Sequence, residues 1–489
     1  MQTKVDTIET GMNARPTTLL IALQSLLGSQ GMLTEARDCA RFTTGARYGR
    51  GQTLAVLRPE SHEQVVDIVT LCVEAGQALV LQGANTGLVA ASTPDSSGRF
   101  MVLSLERLKK HLEIDAVNRS VVVDAGVTLQ DLNVALAPYD LFFPIDLGAN
   151  PTIGGMIAAN TGGARLIKYG DVRQNLLGLR AVLMQATAPV LDLQCALRKN
   201  NTGPDLKQLF VGSSGAYGII TRAVLQVHYL PKQTACALVV PRDQAAVLEL
   251  LKLFERDCAE FLTAFEGISG AALQAVLRHL PGVKNPFLPD ALPDYCVLLE
   301  LTSTADQQTT GIDLEYVLLS YLEKLLGDVL ENVVLGRAKE FWRIRHAISE
   351  ALRHEGKIIA FDISMPRSSL VAFRAEAQAC LARDYPWIKL IDFGHWADGG
   401  CHFNMVWPDA SDDVPRYDAD VVQQLRTEIY DLVVNRYQGS FSAEHGVGPY
   451  NIHFYQRYTH PAAQRLAGEL QHLLDPQRQL GLTQFGPVN

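Results

Sequence analysis

Two clusters of nitrogen- and oxygen-bearing side chains near the C-terminal end have the make-up of a metal site. The first is Gly394-His395-Trp396-Ala397-Asp398-Gly399-Gly400-Cys401-His402-Phe403-Asn404. The pattern predicts a β-hairpin: a strand to Trp396, an Ala-Asp-Gly-Gly loop, and a strand from Cys401. In that register His395 faces His402, and directly opposed residues share a sheet face with Cβ atoms roughly 5 Å apart. Two imidazoles so placed can chelate one ion at about 2.0–2.1 Å per Zn–N bond. Asn404, two residues beyond His402, points to the same face. The second cluster, Ser442-Ala443-Glu444-His445-Gly446-Val447-Gly448, offers a carboxylate and a further imidazole. The plainer alternatives are ordinary hairpin histidines and a solvated loop that ends a helix. A third piece is Trp342-Arg343-Ile344-Arg345-His346-Ala347-Ile348-Ser349. Arg345 and Ser349, four apart, share one helix face, unless Arg345 is merely a solvent-facing ion-pair residue.

Three Gly-rich stretches lie upstream. Gln82-Gly83-Ala84-Asn85-Thr86-Gly87 follows a strand, and small residues there let backbone N–H groups approach an anion. Pro144-Ile145-Asp146-Leu147-Gly148-Ala149 leads to Thr152-Ile153-Gly154-Gly155-Met156 and Asn160-Thr161-Gly162-Gly163. The third is Leu209 to Thr221, with glycines at 212, 215 and 218. That spacing mimics a Rossmann fingerprint, which needs a helix to begin there. Instead IITRAVLQV (219–227) is β-branched and alternating, so it predicts a strand.

In this order the stretches resemble the vanillyl-alcohol-oxidase-type FAD-binding proteins, above all their D-2-hydroxyglutarate and D-lactate dehydrogenase branch. PIDLGANPTIGGMIAANTGGARLIKYG (144–170) and LRKNNTGPDLKQLFVGSSGAYGIIT (197–221) carry most of that likeness. The resemblance implies an α+β fold: a two-subdomain FAD-binding domain of the p-cresol methylhydroxylase type, an α+β substrate domain, and a helical C-terminal segment. It places Gly83, Ala84, Asn85, Thr86 and Gly87 on the FAD pyrophosphate. Thr152, Gly154, Gly155, Asn160 and Gly162 fall along the flavin, and Ile220 near the adenine. The first loop has no His, so non-covalent FAD is expected. His395, His402 and Glu444 carry over as ligands of a divalent metal, zinc or manganese, and His445 as general base. Arg345, Ser349 and Asn404 carry over as substrate contacts, Arg345 gripping a carboxylate with its planar fork. The implied reaction oxidises a D-2-hydroxy acid to the 2-oxo acid by hydride transfer to flavin N5. A quinone or an electron-transfer protein would take the electrons, and a homodimer is compatible with the sequence. Two departures stand out. Ala360 replaces a family Lys, which argues against a dicarboxylate substrate, and Gly481–Pro487 replaces the family's terminal Asn-Pro-Gly. A flavin subunit with an iron–sulfur partner, or a flavin-free zinc hydrolase, are the competing readings.

The elements that must position these groups follow from periodicity. Helices are predicted at 17–40, 63–75, 129–136, 244–256, 312–325, 417–436 and 461–474. Strands are predicted at 54–59, 78–83, 101–105, 120–126, 180–186, 295–302 and 389–396. The expected division is an N-terminal helical segment (1–45), an FAD-binding domain (46–229), a substrate domain (230–435) and a C-terminal segment returning to the flavin (436–489). The chain has 489 residues, 47% hydrophobic and 19% charged, as in a globular protein. A net charge of −9 argues against nucleic acid as partner. No apolar run reaches the roughly 18 residues that span a bilayer. MQTKVDTIETGMNARP lacks an apolar signal core, so a cytoplasmic location is expected. The eight cysteines include no C-x-x-C pair, which speaks against an iron–sulfur or zinc-ribbon site.

Overall fold

The computed structural model of the protein describes residues 6–287 and 292–487. The groups of interest sit on strand β1 (Ala78–Gln82), helix α1 (Ile153–Ala159), strand β2 (Leu262–Ser269), helix α2 (Ala338–Ala351), and strands β3 (Asp362–Ser364), β4 (Lys389–His395) and β5 (Gly400–Trp407).

The first half builds two sheets on one shared core. A four-stranded sheet runs Met32–Leu33, Val56–Leu57, Phe100–Ser104, β1, the last three parallel. Beside it lies a five-stranded antiparallel sheet: Leu112–Asp115, Ser120–Asp124, Ile219–Gln226, Leu176–Val182, Val190–Leu193. The helix His62–Ala75 packs between them because Val65, Ile68, Val69, Cys72 and Val73 form one buried stripe. Ser61 caps its start by accepting from the Gln64 N–H, and Gly76, at φ 70°, ends it. The segment 144–178 contains three short helices, of which α1 is capped by Thr152. The expected 17–40 helix instead stops at Gly31, with Gly28 already at φ 66°. It gives way to a strand and a short turn of helix, Ala36–Cys39.

The second half is one eight-stranded sheet with helices on both faces. Its path is Leu330–Gly336, Gln233–Pro241, Tyr295–Ser303, β2, β4, β5, Lys357–Ile359, with β3 also pairing on β5. Tyr295–Ser303 is buried on both sides: Val297 and Leu299 join one core, Cys296 and Leu298 the other. Helix α2 covers the second face through Phe341, Ile344 and Ile348, leaving Arg345 over the sheet.

The β4–β5 hairpin forms in a different register from the expected one. Phe393, not His395, pairs with His402. The shift is two residues, and because strand side chains alternate with period two, an even shift keeps both histidines on one face. Beneath this hairpin, Asp392 is fully buried and takes two bonds from Arg374, at 2.7 and 3.0 Å. Breaking a buried pair from one side strands a charge and costs about 3–5 kcal/mol. Arg374→Met should therefore lower the unfolding free energy measured in urea by that much, and Arg374→Met/Asp392→Leu should recover most of it.

Candidate functional site

A cavity of about 650 Å³ runs between the two halves of the chain. One wall is made of the loops 83–89, 146–155, 158–164 and 214–220; the other is α2, the hairpin and the 442–448 loop. The first loop is held open by its base. Buried Gln82 donates to the carbonyls of Phe42 and Ser92, and Asn85, at φ 57°, donates to the Thr44 carbonyl and accepts from Ser92. Gly83 stands so close to Thr152 that a Cβ there would lie 2.1 Å from Oγ1. A long, Gly-lined trough with convergent backbone fits an elongated dinucleotide.

Of the site residues expected from sequence, Gly83 to Gly87, Thr152, Gly154, Gly155, Ile220, Arg345, Ser349, Asn404, His395, His402, Glu444 and His445 all line this cavity. Asn160 and Gly162 do not. Asn160 ends α1 at φ 52° and spends its side chain on Asp171 and the Arg173 N–H. Gly162 backs onto Glu444, 3.1 Å from the Cβ it lacks. The C-terminal tail also takes another path. Gln479 and Gly481 bond to Leu79 of β1, and among the described residues none of 479–487 lines the cavity.

His395, His402 and Glu444 bring one ligand atom each to within 4.8 Å of one another. The two imidazole centroids are 5.2 Å apart, and His395 Nε2 lies 3.4 Å from Glu444 Oε1. Burial disfavours a charged His395, yet Glu266 and Glu444 outweigh it and push its pKa up to about 10. Two carboxylates, Glu266 and Glu444, thus face His395 from either side of its ring, surroundings that favour a cation. Burial, with His395 nearby, drives His402 well below its usual value, which leaves it as the neutral imidazole that ligates metals. The chemistry of the donor set thus fits a divalent ion such as zinc.

Two carboxylates that the sequence reading gave no role organise these groups. Glu266 on β2, 1% exposed, accepts from His395 Nδ1 and from Arg345 Nε, both at 2.7 Å. Burial would raise its pKa, but His395 and Arg345 bring it down to about 2. Asp362 on β3 accepts the backbone N–H of Glu444 and of His445, at 2.9 and 2.7 Å, and lies 3.6 Å from His445 Nδ1. The signal for Glu266 was available: a lone acid inside LTAFEGIS, where full burial demands a partner. A third set joins the walls. Glu300 accepts from Trp342 Nε1 at 2.6 Å and Arg165 Nε at 3.1 Å, while Asp146 lies 3.5 Å from Arg165 and 3.3 Å from His346. Arg353, two turns beyond Arg345, also lines the cavity, so the wall carries a second cation although Ala360 supplies none.

Gly163 shows how tightly the walls meet. It lies at φ 124°, its N–H donates to Glu444 Oε1 at 3.1 Å, and an added Cβ would fall 2.6 Å from the Asp146 carbonyl. Gly163→Ala should therefore displace both loops, and the purified variant should carry clearly less than one flavin per chain by absorbance.

Comparison with known proteins agrees with this layout. Residues 53–194 match the family described as FAD binding domain, and residues 230–481 match FAD linked oxidases, C-terminal domain. The D-2-hydroxyglutarate dehydrogenase, mitochondrial, of Arabidopsis thaliana is 32% identical over 432 residues, 87% of this chain and 74% of that protein. The D-2-hydroxyglutarate dehydrogenase of Xanthomonas citri pv. viticola is 31% identical over 469 residues, 94% of each chain. The solved structure of p-cresol methylhydroxylase with substrate bound matches with a TM-score of 0.71 over 95% of both chains, at 15% identity, a likeness of fold. The two family matches fall one on each side of the cavity and together span most of the chain, so this protein is an oxidoreductase of the FAD-linked oxidase family.

Proposed function

We propose that the chain oxidises a D-2-hydroxy acid to the 2-oxo acid, with non-covalent FAD and a divalent cation, zinc or manganese, held by His395, His402 and Glu444. The observation that carries this reading is convergence: those ligands, Arg345 and His445 share one cavity whose facing wall is the Gly-rich loops. In this reading residues 46–229 bind FAD, 230–435 form the substrate side, and 436–489 bring Glu444 and His445 back between them. The names of the relatives from Arabidopsis thaliana and Xanthomonas citri support the hydroxy-acid substrate class. Among the described residues no helix is long and apolar enough to cross a membrane. The electrons then pass to a quinone or an electron-transfer protein.

When bound, FAD supplies the acceptor for the C2 hydride, and the cation lowers the pKa of the C2 hydroxyl. The protein's own groups divide the remaining work. Arg345 spends Nε on Glu266, which leaves its two terminal nitrogens for the substrate carboxylate, with Ser349 one turn further on. Asn404 shares the hairpin face of His402 and offers an amide to a substrate oxygen. His445 turns Nδ1 toward Asp362, so Nε2 is the atom that takes the hydroxyl proton.

The purified protein should be yellow and release its flavin on heat denaturation. With an artificial dye it should oxidise D- but not L-2-hydroxy acids, from a panel holding both mono- and dicarboxylates. Dialysis against a chelator should abolish turnover, and zinc or manganese should restore it; undiminished activity in the stripped enzyme would sink the metal's role. His445→Gln should lower kcat by about 10²–10⁴-fold while keeping its flavin.

A further inference from the structure

The geometry points to Glu266 as a positioning residue that ties metal holding to substrate-carboxylate binding, an inference that rests on the function proposed above. Glu266 sits on the central strand β2, directly opposite His395 on β4. Its two oxygens are divided between two partners: Oε1 takes His395 Nδ1 and Oε2 takes Arg345 Nε, each at 2.7 Å. All three side chains are buried, at 1%, 7% and 8% exposure, so water cannot replace either bond.

Each bond fixes one atom that the reaction needs. A carboxylate can only accept, so His395 must carry its proton on Nδ1. Nε2 then faces Glu444 and the ion position, and is the nitrogen that would ligate once its own proton has left. Arg345 is held at Nε with its plane set, stacked over Phe393 at 4.6 Å, so its terminal nitrogens present a fixed fork to the cavity. One buried charge therefore orients a ligand on the hairpin and a substrate contact on α2. Two sites that share one acceptor are energetically coupled, and such coupling acts in both directions.

Glu266→Gln tests this at constant volume. An amide offers one acceptor and one donor, so it cannot satisfy both partners. If its NH₂ meets His395, Nδ1 must become the acceptor and the proton moves to Nε2, where it blocks the ion. If it meets Arg345, the fork loses its anchor. The expected result is a zinc dissociation constant raised about 10–100-fold by chelator competition, together with a higher KM for the hydroxy acid. Flavin content and far-UV circular dichroism should stay at wild-type levels. A variant with a lower melting temperature but unchanged zinc affinity and KM would reduce Glu266 to a structural residue and overturn the proposal.

Should Glu266→Gln fail to fold, Arg345→Gln decides the matter from the cavity end of the chain of contacts. Arg345 is no metal ligand here, yet its loss leaves Glu266 wholly to His395 and removes a nearby cation. Zinc should then bind at least about fivefold tighter, and an unchanged zinc affinity would overturn the coupling. Wild-type protein that binds no zinc, or turns over no 2-hydroxy acid, would instead sink the proposed function itself.

Discussion

The placement of charge inside the second sheet constrains everything built on it. Glu266, Glu300, Asp362 and Asp392 are all buried, at 6% exposure or less. An unpaired carboxylate in such surroundings would cost several kcal/mol. Each has its own answer: His395 and Arg345 for Glu266, Arg165 and Trp342 for Glu300, two backbone N–H groups and two histidines for Asp362, Arg374 for Asp392. Because most of the partners (Arg345, Trp342, Arg165, Arg374 and the backbone of Glu444 and His445) come from helices and loops outside the sheet, satisfying the carboxylates fixes where those elements lie. Packing of apolar faces alone would leave α2 free to slide along the sheet. The Glu266–Arg345 and Glu300–Trp342 bonds remove that freedom, one turn apart on the same helix.

The same logic explains how the two halves meet. Arg165 belongs to the loop side, yet its guanidinium lies between Asp146 of that side and Glu300 of the sheet. Trp342 lies within 5.7 Å of it, and His346, one turn on, reaches back to Asp146. Five side chains thus close a ring across the cavity wall. Burial would raise the Asp146 pKa, but His346 and Arg165 hold it below the usual carboxylate range. The ring places α2 against the loop that follows Pro144.

Local chemistry was legible in the sequence where periodicity and punctuation agree. The helices at Leu129–Leu136 and Pro461–Leu474 fall where the apolar stripe and capping residues put them. The hairpin histidines were found by type and proximity, but their register was read two residues off. A four-residue loop was counted from Trp396, whereas the pairing of β4 with β5 stops at Phe393, next to Gly394 at φ 148°, and Asp398 closes the turn onto Gly400. The alternation of strand faces absorbed the error. Asn160, which the family resemblance puts along the flavin, is the left-handed residue that stops α1, with its side chain bonded to Asp171 and the Arg173 N–H. Glu266 and Asp362 were given no role because their importance lies in partners far away in the chain, and no local pattern encodes that. A charged residue inside an otherwise apolar strand was the one local trace.

Glu444 shows why the two walls cannot be treated as independent parts. Its backbone N–H is fixed by Asp362 from the sheet, while its carboxylate accepts from the Gly163 N–H of the loop side. The loop around it is tied further by Ser214, whose hydroxyl donates to the Val447 carbonyl. A ligand atom held in this way has its backbone set by one half and its side chain set by the other. A displacement of the Gly163 loop would therefore reach the third member of the proposed cation site. The Gly-rich loops and the sheet side of the cavity thus meet directly in the hydrogen bond between Gly163 and Glu444.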